Sequence, residues 1–88
     1  MRVVVVYKEQ SEHAREVEEF LRYFNQITGR ELETLNPETR DGSAFCGVYD
    51  IMQYPTVIAL DYDGKQLSKW EGLPLPMVND VSYYSTQQ

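Results

Sequence analysis

The sequence predicts an α/β domain: a four-stranded mixed sheet in the order 2-1-3-4, with helices covering both faces. Three observations carry that expectation. Val3, Val4, Val5, Val6 and Tyr7 form an unbroken apolar run, and residues 56–61 form a second. Runs without alternation read as strands buried on both faces, and so as the two central strands. Residues 30–35 and 65–70 instead mix polar with apolar side chains, which suits edge strands with one wet face. A helical stripe separates the first two strands, and a right-handed crossover makes them parallel. Asp63-Gly64 between the last two is a hairpin signal and makes them antiparallel.

Each element has its own warrant. In residues 11–27, Ala14, Val17, Leu21 and Phe24 recur at three- and four-residue spacing, and Phe20 and Ile27 widen the stripe. Ser11 is the expected N-cap, with Glu12 placing negative charge in the first turn. Glu18 and Arg22 are spaced for an i,i+4 ion pair, and Gly29 is placed for a left-handed C-terminal cap. Pro37 ends the second strand, and residues 36–42 read as a turn. A short helix is expected over residues 43–50, capped by Asp41 or Ser43, with Ala44, Phe45, Val48 and Ile51 as its buried stripe. Gly72 and Pro74 stop the last strand. Met77, Val81 and Tyr84 suggest a final helix starting near Pro76, followed by a frayed tail over residues 85–88.

Composition narrows the function. Eighty-eight residues make one domain, spanning 1–88 with an ordered core of about 2–84. Fourteen acidic residues against eight basic ones give a net charge of −6, which argues against a nucleic-acid or anionic-membrane surface. No apolar run approaches the ~20 residues that span a bilayer. The valine run is too short for a secretory core, so a cytoplasmic location is the expectation. Cys46 is the only cysteine and His13 the only histidine. An internal disulfide is therefore impossible, and zinc or iron would lack nitrogen and sulfur ligands; no metal and no cofactor is expected.

The stretch around Pro55 is the most specific. Tyr49-Asp50-Ile51 precedes Met52-Gln53-Tyr54-Pro55-Thr56, an apolar strand and the Asp63-Gly64 turn follow, and Gly72 comes after the last strand. Proline has no N–H to donate to a ladder, so it belongs at a strand's first position. This ordered set resembles the thioredoxin-like proteins, glutaredoxins among them, and the resemblance covers nearly the whole chain. It implies a cis Tyr54-Pro55 peptide bond facing the N-terminus of the first helix, where redox-active relatives carry Cys-x-x-Cys. The matching residues here are Ser11-Glu12-His13-Ala14. Serine cannot form a disulfide and alanine cannot resolve one, so dithiol exchange is excluded chemically.

The remaining candidates weigh against that background. Ser11 and His13 invite a hydrolase reading, but side chains at i and i+2 of a helix do not face each other and no third group orients the imidazole. Cys46 falls nine residues before Pro55, where the resemblance places a small buried residue. It is read as a packed hydrophobe, with a regulatory thiol as the alternative. The resemblance also raises glutathione binding through the backbone of Tyr54, though Glu71-Gly72-Leu73-Pro74 does not match the element that holds the tripeptide's amino end. The leading expectation is a redox-inert module that binds a protein or extended peptide, with Ser11, His13, Tyr54, Pro55 and Thr56 as candidate binding residues. The alternatives are a monothiol redox sensor acting through Cys46 and a glutathione-binding protein. The chain is expected to be a monomer or a weak homodimer, with Tyr83-Tyr84 of the last helix as the surface to watch.

Overall fold

Valine and isoleucine fit a pleated surface packed from both sides, and the two strands richest in them lie at the centre of the sheet. A computed structural model describes residues 1–85. In it, β1 (Arg2–Val6) and β3 (Thr56–Leu60) pair antiparallel, with Val4 opposite Ile58. The edges are β2 (Glu33–Leu35), parallel to β1, and β4 (Gln66–Glu71), antiparallel to β3. The strand order is β2-β1-β3-β4, as the sequence predicts.

Strand alternation sorts the core into two layers. Val3, Val5, Tyr7, Val57 and Ala59 pack with Ala14, Val17 and Phe24 of α1 (Ala14–Thr28) and Val81 of α3 (Val78–Ser85). Val4, Val6, Ile58 and Leu60 face the other way, onto Cys46 of α2 (Arg40–Tyr49) and Ile51 just beyond it. Thus α1 and α3 cover one face and α2 the other. Every residue of β3 is buried.

Element boundaries differ from the sequence expectation in instructive ways. Helix α1 starts at Ala14 rather than Ser11. His13 is its N-cap residue and supplies no side-chain cap, its Nε2 accepting from the Lys8 N–H instead, and the Ser11 hydroxyl is used in the preceding turn. The ion pair on α1 is Arg15–Glu19, at 3.4 Å, in place of Glu18–Arg22. Gly29 does cap it, at φ 72°, donating to the Asn25 carbonyl at 2.8 Å. Helix α2 begins at Arg40, inside the expected turn, because Thr39 rather than Asp41 or Ser43 caps it: Thr39 Oγ1 accepts from the Gly42 N–H at 3.0 Å. The positions of α2 buried against the sheet are Gly42 and Cys46, and Val48 is 75% exposed. Strand β2 is three residues long, and β4 carries a bulge at Leu67, between the pairs Ala59–Ser68 and Leu60–Gln66. In α3 the buried positions are Val81 and Ser85, while Met77 precedes the helix and is exposed. Ser85, expected in the tail, ends α3; the remaining tail, 86–88, lies outside the described residues.

Side-chain hydrogen bonds fix the turns. Asp61 Oδ1 accepts from the N–H groups of Asp63 and Lys65, at 2.9 and 2.8 Å, and Gly64 takes φ 86° at the hairpin. Arg2 reaches across from β1 to the edge strand and donates to both Glu33 carboxylate oxygens, at 2.7 and 2.6 Å. This bidentate bond, more than the charge itself, holds the Glu33 carboxyl below its ordinary value.

Two measurements check this account. A Cβ at Gly42 would fall on the Asn36 carbonyl oxygen, so Gly42→Ala forces the backbone apart, whereas a Cβ at Gly47 in the same helix meets nothing. In urea unfolding, Gly42→Ala is expected to cost about 1–3 kcal/mol and Gly47→Ala to gain about 0.5–1 kcal/mol. For the edge pair, the depressed folded-state pKa of Glu33 means its contribution is present above the ordinary value of 4.5 and is lost as pH falls through the folded value. Both side chains are about half exposed, so Glu33→Gln is expected to cost under about 1 kcal/mol at neutral pH. That difference should vanish in acid-side unfolding curves.

Candidate binding site

The turn between β1 and α1 is held by its own backbone at Lys8. The Ser11 hydroxyl donates to the Lys8 carbonyl at 2.6 Å, and the Lys8 N–H donates to His13 Nε2 at 3.1 Å. An acceptor Nε2 uses its lone pair in this bond, which leaves Nδ1 as the ring's donor. Ser11 and His13 each grip Lys8 and do not bond to each other, so no nucleophile–base pair exists here. His13 is half-buried and anchored by the Lys8 N–H. Its anchor, a backbone N–H five residues back, leaves no trace in a side-chain pattern.

The second half of the site is the loop entering β3. The Tyr54-Pro55 peptide bond is cis and Pro55 is fully buried. Hydrogen bonds hold the loop on either side of Tyr54. Thr56 Oγ1, itself buried, donates to the Gln53 carbonyl at 2.6 Å, and the Gly72 N–H donates to the Pro55 carbonyl at 2.8 Å. Gly72 lies at φ 73°, a conformation that favours glycine. Between these two anchors, the N–H and C=O of Tyr54 make no hydrogen bond among the described residues.

The Tyr54 side chain joins the two halves. The Lys8 ammonium sits 5.4 Å from its ring centroid, a cation–π arrangement. Among the described residues Lys8 forms no ion pair with a carboxylate. On its other side the Tyr54 hydroxyl lies 4.0 Å from Cys46 Sγ, and burial, then the Cys46 contact, pushes the phenol pKa up. Cys46 is 8% exposed and packs among Val4, Val6, Ile51, Ile58 and Leu60. The structure therefore brings Ser11, His13, Tyr54, Pro55 and Thr56 to one end of the sheet. It places Cys46 beneath that end, behind the tyrosine. Lys8 is the residue that sequence reasoning underweighted, since a lone lysine after a strand carries no spacing signal.

Tyr83 and Tyr84 form a separate cluster. Tyr84 stacks edge-on against Trp70 of β4 at 5.7 Å and against Tyr83 at 5.0 Å. Among the described residues no three histidine, cysteine or acidic side chains come together in a way that could hold a metal ion, and no helix is long and apolar enough to cross a membrane.

Comparison with known proteins gives the fold its relatives. No family model and no curated protein matches the chain. Among solved structures, thioredoxin 1 from the thermophilic eubacterium Thermosipho africanus superimposes with a TM-score of 0.68 at 11% identity, covering 98% of this chain and 96% of that one. A malarial protein gives 0.65 at 12% identity, covering 97% and 92% of the two chains. A designed protein gives 0.61 at 20% identity, covering 98% and 73%. The fold is thioredoxin-like, with a single cysteine and no Cys-x-x-Cys.

The position of Tyr54 over Cys46 sets an expected outcome for thiol chemistry. The native thiol should resist a bulky disulfide reagent until the protein unfolds. Tyr54→Ala should speed the native reaction by about an order of magnitude or more by opening access, and Tyr54→Phe, which keeps the ring, should not. Stopped reaction curves with a chromogenic disulfide read both variants directly.

Proposed function

We propose that this thioredoxin-like domain binds an extended peptide segment of another protein as an added strand at the Tyr54-Pro55 loop, and does no redox chemistry there. One observation supports the reading above the others: among the described residues the backbone N–H and C=O of Tyr54 have no hydrogen-bond partner, in a loop whose neighbouring carbonyls, Gln53 and Pro55, are both satisfied. Unpaired main-chain groups at a sheet end are what strand addition uses, while alternate side chains of the captured segment meet local pockets. Beside the loop, the Lys8 ammonium lies over the Tyr54 ring, and Leu73, 47% exposed, follows the Gly72 that bonds the Pro55 carbonyl.

Chemistry points the same way. Ser11 and Ala14 stand where a dithiol would, and the one thiol in the chain is buried behind Tyr54. Binding by backbone pairing needs neither. It needs a rigid loop, and the Thr56 and Gly72 hydrogen bonds supply that rigidity.

Selection of peptides from a displayed random library, followed by amide exchange on the complex, tests the reading. With a selected peptide bound, exchange of the Tyr54 amide should slow at least about tenfold, and Tyr54→Phe should bind as the wild type does. An unchanged Tyr54 exchange rate in a saturated complex would sink the proposal.

A further inference from the structure

A second surface lies over α1 and α3, on the sheet face opposite Cys46 and α2. Phe20, Tyr23 and Ile27 form one row along α1 and meet Pro76, Met77 and Val78 at the start of α3, around a hollow of about 320 Å³. No lining residue is charged, in a chain where 25% of residues are. Tyr23, Ile27 and Met77 are 55%, 54% and 71% exposed, which makes this row an apolar surface without a partner in the monomer.

The margin of this groove is acidic. Glu16 stands one turn before Phe20 in the same row, Glu19 one turn before Tyr23, and Asp80 follows Asn79, which closes the hollow on α3. Glu16 and Asp80 have no ion-pair partner among the described residues, and Glu19 has only Arg15, at 3.4 Å and itself 89% exposed. Arg15 lies beside Glu19 on the same flank and partly offsets it, so Glu16 and Asp80 carry the unpaired charge at the margin.

We propose that this groove docks an amphipathic helix of a partner protein, apolar along one face and basic along its margins. Two helices packed on a sheet leave a channel that a third helix can fill through i, i+3, i+4 and i+7 anchors. The apolar row would receive those anchors, and Glu16, Glu19 and Asp80 would meet lysine or arginine beside them. The same charges disfavour the other occupants. A second copy would bring two chains of net charge −6 together through acidic margins, and an anionic membrane would be repelled. The site is on the opposite face of the sheet from the Tyr54 loop, and this inference does not rest on strand capture there.

The test uses the full chain and three synthetic probes: a leucine-lysine peptide with helical apolar period, a scrambled peptide of identical composition, and a leucine-glutamate peptide with the helical period. NMR titration is expected to show saturable binding of the first alone, with shifts centred on Phe20, Tyr23, Ile27 and Met77. Ile27→Asp and Met77→Asp, both at exposed positions, should each weaken it about tenfold or more. Glu16→Lys should weaken it and flatten its salt dependence. Four results would each overturn the proposal: no binding of the leucine-lysine helix, equal binding of the scrambled peptide, unchanged binding in Ile27→Asp with its fold intact by circular dichroism, or light scattering showing that the face is already closed in a dimer.

Discussion

The structure depends on one constraint: residues 3–6 of β1 and 57–60 of β3 are buried on both faces, so each of these runs is apolar throughout. Alternation then assigns Val3, Val5, Val57 and Ala59 to one layer and Val4, Val6, Ile58 and Leu60 to the other. Each layer needs its own helical cover, and a slip of one residue in the β1–β3 register would exchange the two sets. With the centre fixed, the short β2 and the bulged β4 are left as edges, and the β1–α1 turn and the loop entering β3 are carried to the same end of the sheet.

What that end can do follows from how its polar groups are spent. Ser11, His13 and Thr56 look reactive as residue types, yet each is committed to a backbone partner: Lys8 for the first two and Gln53 for the third. Those bonds make the turn and the loop rigid and leave no proton relay. Among the described residues, the Tyr54 main chain has no hydrogen-bond partner and the Lys8 ammonium, over its ring, has no carboxylate partner. Cys46, the only thiol, is a packing residue of the α2 layer with Tyr54 across its approach. At that end of a thioredoxin-like frame without Cys-x-x-Cys stand Ser11 and His13, each bonded to the Lys8 backbone, in place of a dithiol.

Much of this was legible in the sequence because it rests on period and turn chemistry. Central and edge strands, the Gly29 cap, the Asp63-Gly64 hairpin and the place of Pro55 all announce themselves within a few residues. Misreadings arose where a side chain chose a non-local or competing backbone partner. Ser11 serves the Lys8 carbonyl and so does not cap α1. Thr39 caps α2 earlier than Asp41 or Ser43 would, and Val48, expected in the buried stripe, is exposed, while Cys46 packs inward as expected. The contact of Tyr54 with both Lys8 and Cys46 joins three segments and has no signature in any one of them.

The proposed function turns on recognition of a partner through the Tyr54 main chain. The most direct measurement is the scalar coupling across hydrogen bonds in an isotope-labelled complex with a selected peptide. The account predicts couplings that link the Tyr54 amide nitrogen to a peptide carbonyl carbon and the Tyr54 carbonyl carbon to a peptide amide nitrogen. A saturated complex without either coupling, or one joined by a mixed disulfide at Cys46, would contradict it.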